Sequence, residues 1–399
     1  MSNLLKAAAA YRPFFYPWAV DLATEHEAMH WTEQEVPLGE DVSDWKLGKL
    51  NDTEKDFVTQ ILRMFTQADT AVGSYYYDVL MPRFKNNELR MMMGSFANRE
   101  GTHQRAYALL NDTLGLPEGD YAAFMDYVEM KDKLDFMLDA DPSTDVGLGL
   151  ALAKGVFNEG VSLFASFVML LHFQQRGLMR GMAKIVEWSI KDESVHVQGV
   201  ATTFRAYCHD LPHIVTDTFK TAIYDMAREV VRLEDAFIDL AYATGTVEGL
   251  TVAEVKAYIR YIADRRLVQL GLRPNFQVEE NPLPWLDWVI SSTRHTNFFE
   301  NKVADYEVAG LQGEWIYDDA PMPMMVYTRE GCGWCVKVKD LLVQRGIPFT
   351  EVDLTDDAQR QGFFKQQEST INGSRTLPQV FNEDGSHIGG YAETAAYLK

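Results

Sequence analysis

From Asp52 to about Arg273, apolar side chains recur every three or four positions, the period of an amphipathic helix. Prolines are few. The breaks fall at Leu114-Gly115-Leu116-Pro117, Asp141-Pro142-Ser143, Asp210-Leu211-Pro212 and Ala243-Thr244-Gly245-Thr246. They predict a bundle of five or six helices, each of twenty or more residues. Asn281-Pro282-Leu283-Pro284-Trp285 closes that region. A segment of mixed character follows from Leu286 to Trp315, then an acidic, proline-bearing stretch at Asp318-Asp319-Ala320-Pro321-Met322-Pro323. Beyond it the period changes. Strands are predicted over Met324–Tyr327, Phe349–Leu354 and Gln379–Phe381, with helices over Cys335–Arg345, Asp356–Gln367 and Tyr391–Leu398. The expected organisation is therefore a mostly α unit over 1–310, a linker over 311–323, and a small α/β unit over 324–399.

Composition narrows the class. The 399 residues are 47% hydrophobic, enough for a large core. With 37 Lys and Arg against 58 Asp and Glu, the net charge is −21, which repels phosphate backbones and argues against a nucleic-acid partner. The most apolar stretch, Val146 to Phe173, is interrupted by Lys154, Asn158 and Glu159, so no membrane span is expected. Three cysteines, Cys208, Cys332 and Cys335, make no disulfide scaffold, and with no secretory leader in the sequence a cytoplasmic protein is expected.

Acidic residues interrupt the apolar stripes. Phe96, Glu100, His103, Tyr107 and Leu110 share one helix face; Val186, Glu193, His196 and Val200 share another. Asp69 lies on a stripe with Ile61, Phe65 and Val72. Glu159 is expected on a single helix with Leu152, Val156, Leu163 and Phe167. A third Glu-x-x-His pair, Glu27/His30, lies in the polar segment Glu25-His26-Glu27 and reads as surface. An uncompensated buried carboxylate costs several kcal/mol, and no Lys or Arg occupies these stripes. Four carboxylates with two imidazoles suit two cations, iron or manganese rather than zinc. Glu-x-x-His from two helices and lone carboxylates from two others is the ligand set of ferritin-like dimetal bundles. The competing reading makes some of these boundary residues with satisfied hydrogen bonds. Tyr107, one turn beyond His103, reads either as packing or as a phenol oxidised to a radical beside the metals.

These motifs, with Phe-Thr-Gln-Ala-Asp (65–69), Glu159-Gly-Val-Ser-Leu-Phe-Ala-Ser-Phe167 and Lys191-Asp-Glu-Ser-Val-His196, resemble the small, radical-generating subunit of class I ribonucleotide reductase over about residues 10–310. The resemblance implies metal ligands Asp69, Glu100, His103, Glu159, Glu193 and His196, and a stable radical on Tyr107. It implies a relay in which Asp192 joins His103 to Trp31, and Tyr306 hands the radical to a separate large subunit. It also implies a homodimer. Leu163 stands where many relatives have Phe.

In the last module Cys332-Gly333-Trp334-Cys335 sits between a predicted strand and a helix, whose N-terminus stabilises a thiolate on Cys332. A zinc half-site would need more ligands than His387. With Tyr327-Thr-Arg-Glu-Gly-Cys, Thr376-Leu-Pro-Gln-Val-Phe381 and Ile388-Gly-Gly-Tyr391, the module resembles glutaredoxin. That resemblance implies a cis peptide before Pro378, and glutathione held by Arg329, Thr376, Leu377 and Gly390. Two other functions fit the bundle motifs: a dimetal oxidase acting on a small apolar substrate, and an iron-storage bundle with a fused thiol reductase.

Overall fold

The computed structural model describes the chain except residues 1–2, 11, 287–323, 346, 348, 368–370, 372, 383–385 and 399. The chain divides into two compact units, Met1–Leu311 and Gln312–Lys399. In the first, α1 (Pro17–Ala28) and α2 (Gly39–Lys46) precede α3 (Asp52–Ser74), α4 (Asn87–Leu114), α5 (Val128–Leu138), α6 (Asp145–Gly160), α7 (Phe164–Gln175), α8 (Arg180–Asp210), α9 (Asp217–Ala241) and α10 (Val252–Gln269). Local chemistry sets the ends. Asn51 caps α3, accepting from the Glu54 amide while Glu54 accepts from the Asn51 amide. Gly115, at φ 80°, ends α4 in the left-handed conformation that glycine adopts without strain.

The expected breaks occur, but only α3, α4, α8 and α9 reach twenty residues. Two departures explain the difference. The first is the stripe drawn through Glu159, Leu163 and Phe167 on one helix. The chain instead leaves helical geometry after Gly160 and restarts at Phe164. Arg266 donates to the Gly160 carbonyl at 3.1 Å and Lys133 to the Ser162 carbonyl at 3.0 Å, so side chains from elsewhere satisfy the carbonyls freed by the break. The second is a π-helical segment, Tyr75–Leu80, that continues α3 with wider turns.

Helices α3, α4, α6 and α8 form the centre, with α3 against α4, α6 against α8, and α4 against α8. Close approach depends on Gly199: a Cβ there would lie 2.6 Å from the Phe96 ring. The stretch Asp145–Gln175 is long and apolar enough to cross a membrane, yet its most apolar part is wholly buried within the bundle. Cys208 is buried as well, and burial pushes its thiol well above the usual range.

The second unit is a four-stranded sheet in the order β2-β1-β3-β4, with β1 Met324–Thr328, β2 Phe349–Asp353, β3 Gln379–Phe381 and β4 His387–Gly389. β1 pairs parallel to β2 and antiparallel to β3. Helices α11 (Gly333–Gln344), α12 (Asp357–Gln366) and α13 (Tyr391–Tyr397) complete it. β4 escapes the sequence pattern because it is three residues long and ends in glycine.

A lysine–glutamate pair lies wholly inside the bundle. Lys133 on α5 and Glu234 on α9 approach to 2.6 Å, both 1% exposed or less, and the ammonium also stands 4.2 Å over the Phe237 ring. Burial lifts the Glu234 carboxyl to about 7. Lys133→Met should therefore cost about 3–5 kcal/mol, and adding Glu234→Leu should restore most of it. The single-variant penalty should grow as pH rises past about 7, where Glu234 ionises beside Lys133 but resists ionisation once the lysine is gone. Thermal unfolding of both variants against pH measures this; a double variant no more stable than the single one would refute it.

Candidate metal centre

Helices α4 and α8 meet in a ladder of side chains. Glu100 Oε1 lies 3.2 Å from His196 Nδ1, and His103 Nδ1 lies 3.3 Å from Glu193 Oε1. Residue numbers rise along one helix as they fall along the other, so the pair is antiparallel. Asp69 enters from α3 and Glu159 from the last turn of α6. The atoms gather in two groups, Asp69, Glu100 and His103 in one, Glu100, Glu159, Glu193 and His196 in the other. Within each group, the candidate ligand atoms lie within 4.8 Å of one another. Glu100 belongs to both, the position of a bridging carboxylate. All six residues are 2% exposed or less.

Both imidazoles turn Nδ1 inward. His103 Nδ1 is 3.2 Å from Glu100 Oε2; His196 Nδ1 is 3.1 Å from Glu193 Oε2 and 3.4 Å from Glu159 Oε2. Burial pushes Asp69 and Glu159 well above the usual carboxylate range, and the neighbouring Glu193 adds to both shifts. Glu193 itself is drawn below that range despite burial, through its bonds to Glu159 and the two histidines. Burial opposes a charge on each imidazole, but the carboxylates outweigh it and lift both well above the usual histidine value. Without cations the cluster is thus stabilised by protons. Asp69 Oδ2 is buried without a hydrogen-bond partner, and Glu100 Oε1 and Glu193 Oε1 have only the imidazole contacts given above. Two divalent ions would neutralise the four carboxylates and occupy those oxygens. The donor set fits iron or manganese.

The outer nitrogens are held differently. His103 Nε2 is 3.1 Å from Asp192 Oδ2, and the Trp31 indole N–H donates to the same oxygen at 2.8 Å. Arg99 donates to Asp192 Oδ1 and to the carbonyls of His26 and Met29. Although Asp192 is buried, His103 and Arg99 keep its carboxyl below the ordinary value. Trp31 is 4% exposed and stacks on His103 at 5.9 Å between centroids. His196 Nε2 instead meets His26 Nε2 at 3.1 Å, while His26 Nδ1 lies 2.8 Å from Ser95 Oγ. Burial and His196 hold His26 down to about 2, so it is a neutral partner.

The Glu27/His30 pair is at the surface, as expected, yet the segment that carries it also holds a buried histidine. Glu27 and His30 are exposed, but His26 is fully buried. The signal was present: Ala19, Leu22, Ala23 and His26 form the i, i+3, i+4, i+7 stripe of α1. Tyr76, whose hydroxyl donates to Glu159 Oε1, lies in the π-helical segment, where the 3.6-residue period no longer predicts direction. Tyr107 is 2% exposed and stacks on Phe65 at 4.3 Å and 5° between ring planes. Its hydroxyl has no hydrogen bond, and burial with the charge of Asp69 pushes the phenol above its usual value. Leu163 is buried at the N-terminus of α7.

In the second unit Cys332 and Cys335 form a disulfide at the start of α11. Cys332 Sγ accepts from the Cys335 amide at 3.2 Å and lies 3.5 Å from the Leu377 carbonyl oxygen. The Leu377–Pro378 bond is cis. The structure brings Leu377 to Cys332; Arg329 and Thr376 are exposed, and Gly390 is half-buried at the start of α13. Tyr306 lies outside the described residues.

Comparison with known proteins covers both units. The family model "Ribonucleotide reductase, small chain" matches residues 8–282, and the model "Glutaredoxin" matches residues 324–388. The chain is 41% identical over 354 residues to the probable ribonucleoside-diphosphate reductase small subunit of Invertebrate iridescent virus 6, covering 78% of this chain and 98% of that one. It is 27% identical to the ribonucleoside-diphosphate reductase subunit beta of Chlamydia pneumoniae, over 75% of this chain and 90% of that one. Two solved structures share the fold. They are the ribonucleotide reductase R2 subunit of Clostridium botulinum (TM-score 0.66, 19% identity, 71% of this chain, 91% of that one) and a dimanganese(II) NrdF of Streptococcus sanguinis (TM-score 0.60, 21% identity, 72% of this chain, all of that one).

Metal uptake should displace protons from this cluster, because His103, His196, Asp69 and Glu159 all hold protons more tightly than usual. Anaerobic titration with Mn(II) or Fe(II) should saturate at two ions per chain, with affinity rising as pH rises. Calorimetry in buffers of different ionisation enthalpy measures the release; heats independent of the buffer would contradict it.

Proposed function

Because this chain belongs to the ribonucleotide reductase small-chain family and carries a glutaredoxin domain behind it, we propose that it generates the radical for ribonucleotide reduction and supplies the reductant for the same reaction. The observation that carries the reading is the cluster of four buried carboxylates and two imidazoles, with the Trp31–Asp192–His103 chain attached to it.

In this reading Asp69, Glu100, His103, Glu159, Glu193 and His196 hold two iron or manganese ions. The bound pair would supply the redox power to reduce dioxygen and so oxidise Tyr107. The protein's own part is to prepare the site. Phe65 stacks on the Tyr107 ring and Phe167 stacks on Phe65 in turn, an apolar packing that excludes water and protects a phenoxyl. The Asp192 carboxylate fixes the proton on His103 Nε2, leaving Nδ1 free to ligate. The same carboxylate accepts from the Trp31 indole, so a proton held between them can move as an electron passes. From Trp31 the radical passes through Tyr306 to a separate large subunit, where the nucleotide binds. Two copies of this chain form the working small subunit.

The thiol domain closes the cycle. Each deoxynucleotide leaves a disulfide on the large subunit. Reduced Cys332, as a thiolate stabilised by the start of α11, attacks it, and Cys335 resolves the mixed disulfide. Two electrons and two protons leave the dithiol, and glutathione, held by Arg329, Thr376, Leu377 and Gly390, restores them. Joining this domain to the bundle raises its effective concentration at the large subunit. A cytoplasmic location suits a dithiol that must be kept reduced.

Electron paramagnetic resonance with metal analysis tests the reading. After loading with Fe(II) or Mn(II) and exposure to oxygen, the protein should hold two metals per chain and a tyrosyl signal that Tyr107→Phe removes. Trp31→Phe should keep the signal and lose deoxynucleotide formation with the large subunit. A cage holding many irons, or oxidation of a small substrate by this chain alone, would replace the reading with storage or with a dimetal oxidase. With glutathione as sole reductant, Cys332→Ser should stop turnover beyond the first reduction while dithiothreitol rescues it. Full multiple turnover without Cys332 would remove the thiol domain from the cycle.

A further inference from the structure

The α4–α8 ladder has a further rung. Glu100 meets His196, His103 meets Glu193 and Asp192, and one turn on along α4 stands Tyr107. The antiparallel register places Ser189, one turn back along α8, opposite it. Ser189 is fully buried, and its Oγ has no hydrogen-bond partner. The Tyr107 hydroxyl across from it is also buried and also unpartnered. Serine and threonine inside a helix usually return their hydroxyl to the carbonyl four residues back. Three others on α8 do so: Ser194 to Ile190, Thr202 to Gln198 and Thr203 to Gly199. Ser189 departs from that habit, though Ile185 stands at the matching position. Two lone hydroxyls facing one another in a dry core each lack what the other offers, and an unmet buried hydroxyl is costly. The Ser189 hydroxyl also draws the phenol down against the burial that lifts it.

We infer that Ser189 is the positioning residue for the Tyr107 phenol, its hydrogen-bond partner in both oxidation states. This rests on the proposed oxidation of Tyr107. With the tyrosine reduced, Ser189 Oγ accepts from the phenol O–H. Oxidation removes one electron and that proton, one each of the four electrons and four protons that take dioxygen to two waters; the other electrons would come from the bound metals and an external reductant, the other protons from solvent. The phenoxyl oxygen is then an acceptor only. The serine hydroxyl rotates about its Cβ–Oγ bond and donates to it, which is open to a hydroxyl and closed to the apolar side chains around the ring. Donation stabilises the phenoxyl and fixes the direction of its oxygen relative to the metal side. Phe65 packs a face of the ring; Ser189 addresses its one polar atom.

High-field electron paramagnetic resonance of the loaded full-length protein, in ordinary and in deuterated water, reads this bond. The wild-type radical should show coupling to one exchangeable deuteron and a largest g-value lowered by hydrogen bonding. Ser189→Ala should lose the coupling and raise that g-value, while Ser189→Thr keeps both. The same coupling and g-value in Ser189→Ala would overturn the assignment. Should no tyrosyl signal form in any variant, the oxidation of Tyr107 fails, and a metal-free measurement still decides the hydrogen bond. The ultraviolet resonance Raman spectrum of Tyr107, taken as the difference from Tyr107→Phe, reports phenol hydrogen bonding. A change in that spectrum with Ser189→Ala supports the pairing. An unchanged one refutes it.

Discussion

Four carboxylates packed into the dry centre of a helical bundle form the constraint to which the rest of the molecule answers. Each would lose several kcal/mol of hydration and repel its neighbours. With protons alone the site can be neutral, but Asp69 Oδ2 remains buried without a hydrogen bond. Divalent cations remove both difficulties. Much of the surrounding architecture serves to bring the carboxylates within reach of one another. Gly73 admits α3 beside Glu100, where a Cβ would lie 3.3 Å from the glutamate Cβ, and Gly199 admits α8 against Phe96. The break after Gly160 ends α6 within one turn of Glu159.

The outer surroundings give the two imidazoles unlike characters. His103 faces an anionic carboxylate already engaged by Arg99 and Trp31; His196 faces a neutral imidazole backed by a serine. An anionic partner makes a ligand more basic than a neutral one. The two halves of the cluster are therefore inequivalent before any metal enters, and the His103 half is the one whose imidazole bonds directly to the carboxylate that holds the tryptophan.

The helical period and the interrupted stripes made the bundle and its six central side chains readable from sequence, because a buried acid at a core position conflicts with packing. The thiol unit was readable through its changed period and the Cys332/Cys335 spacing. What escaped depended on local geometry that periodicity does not encode. Tyr76 turns toward Glu159 from a π-helical stretch. Leu163 was assigned to the wrong helix because the carbonyls released at residues 160–162 are capped by Arg266 and Lys133, from distant positions. His26 was readable but overlooked, its polar neighbours Glu25 and Glu27 masking the stripe it completes. Ser189 becomes informative only when its missing backbone bond is seen.

The placement of sulfur has a further meaning. A phenoxyl is quenched by a nearby thiolate, yet the proposed function sets such chemistry in the same chain as a dithiol reagent. Within the bundle the sole cysteine, Cys208, is buried and kept protonated, a poor electron donor at neutral pH. The reactive pair belongs to a separately folded unit with its own core around Val326, Val338 and Val380. Under the proposed function, one polypeptide would thus assign single-electron and paired-electron reactions to separately folded units, each with its own core.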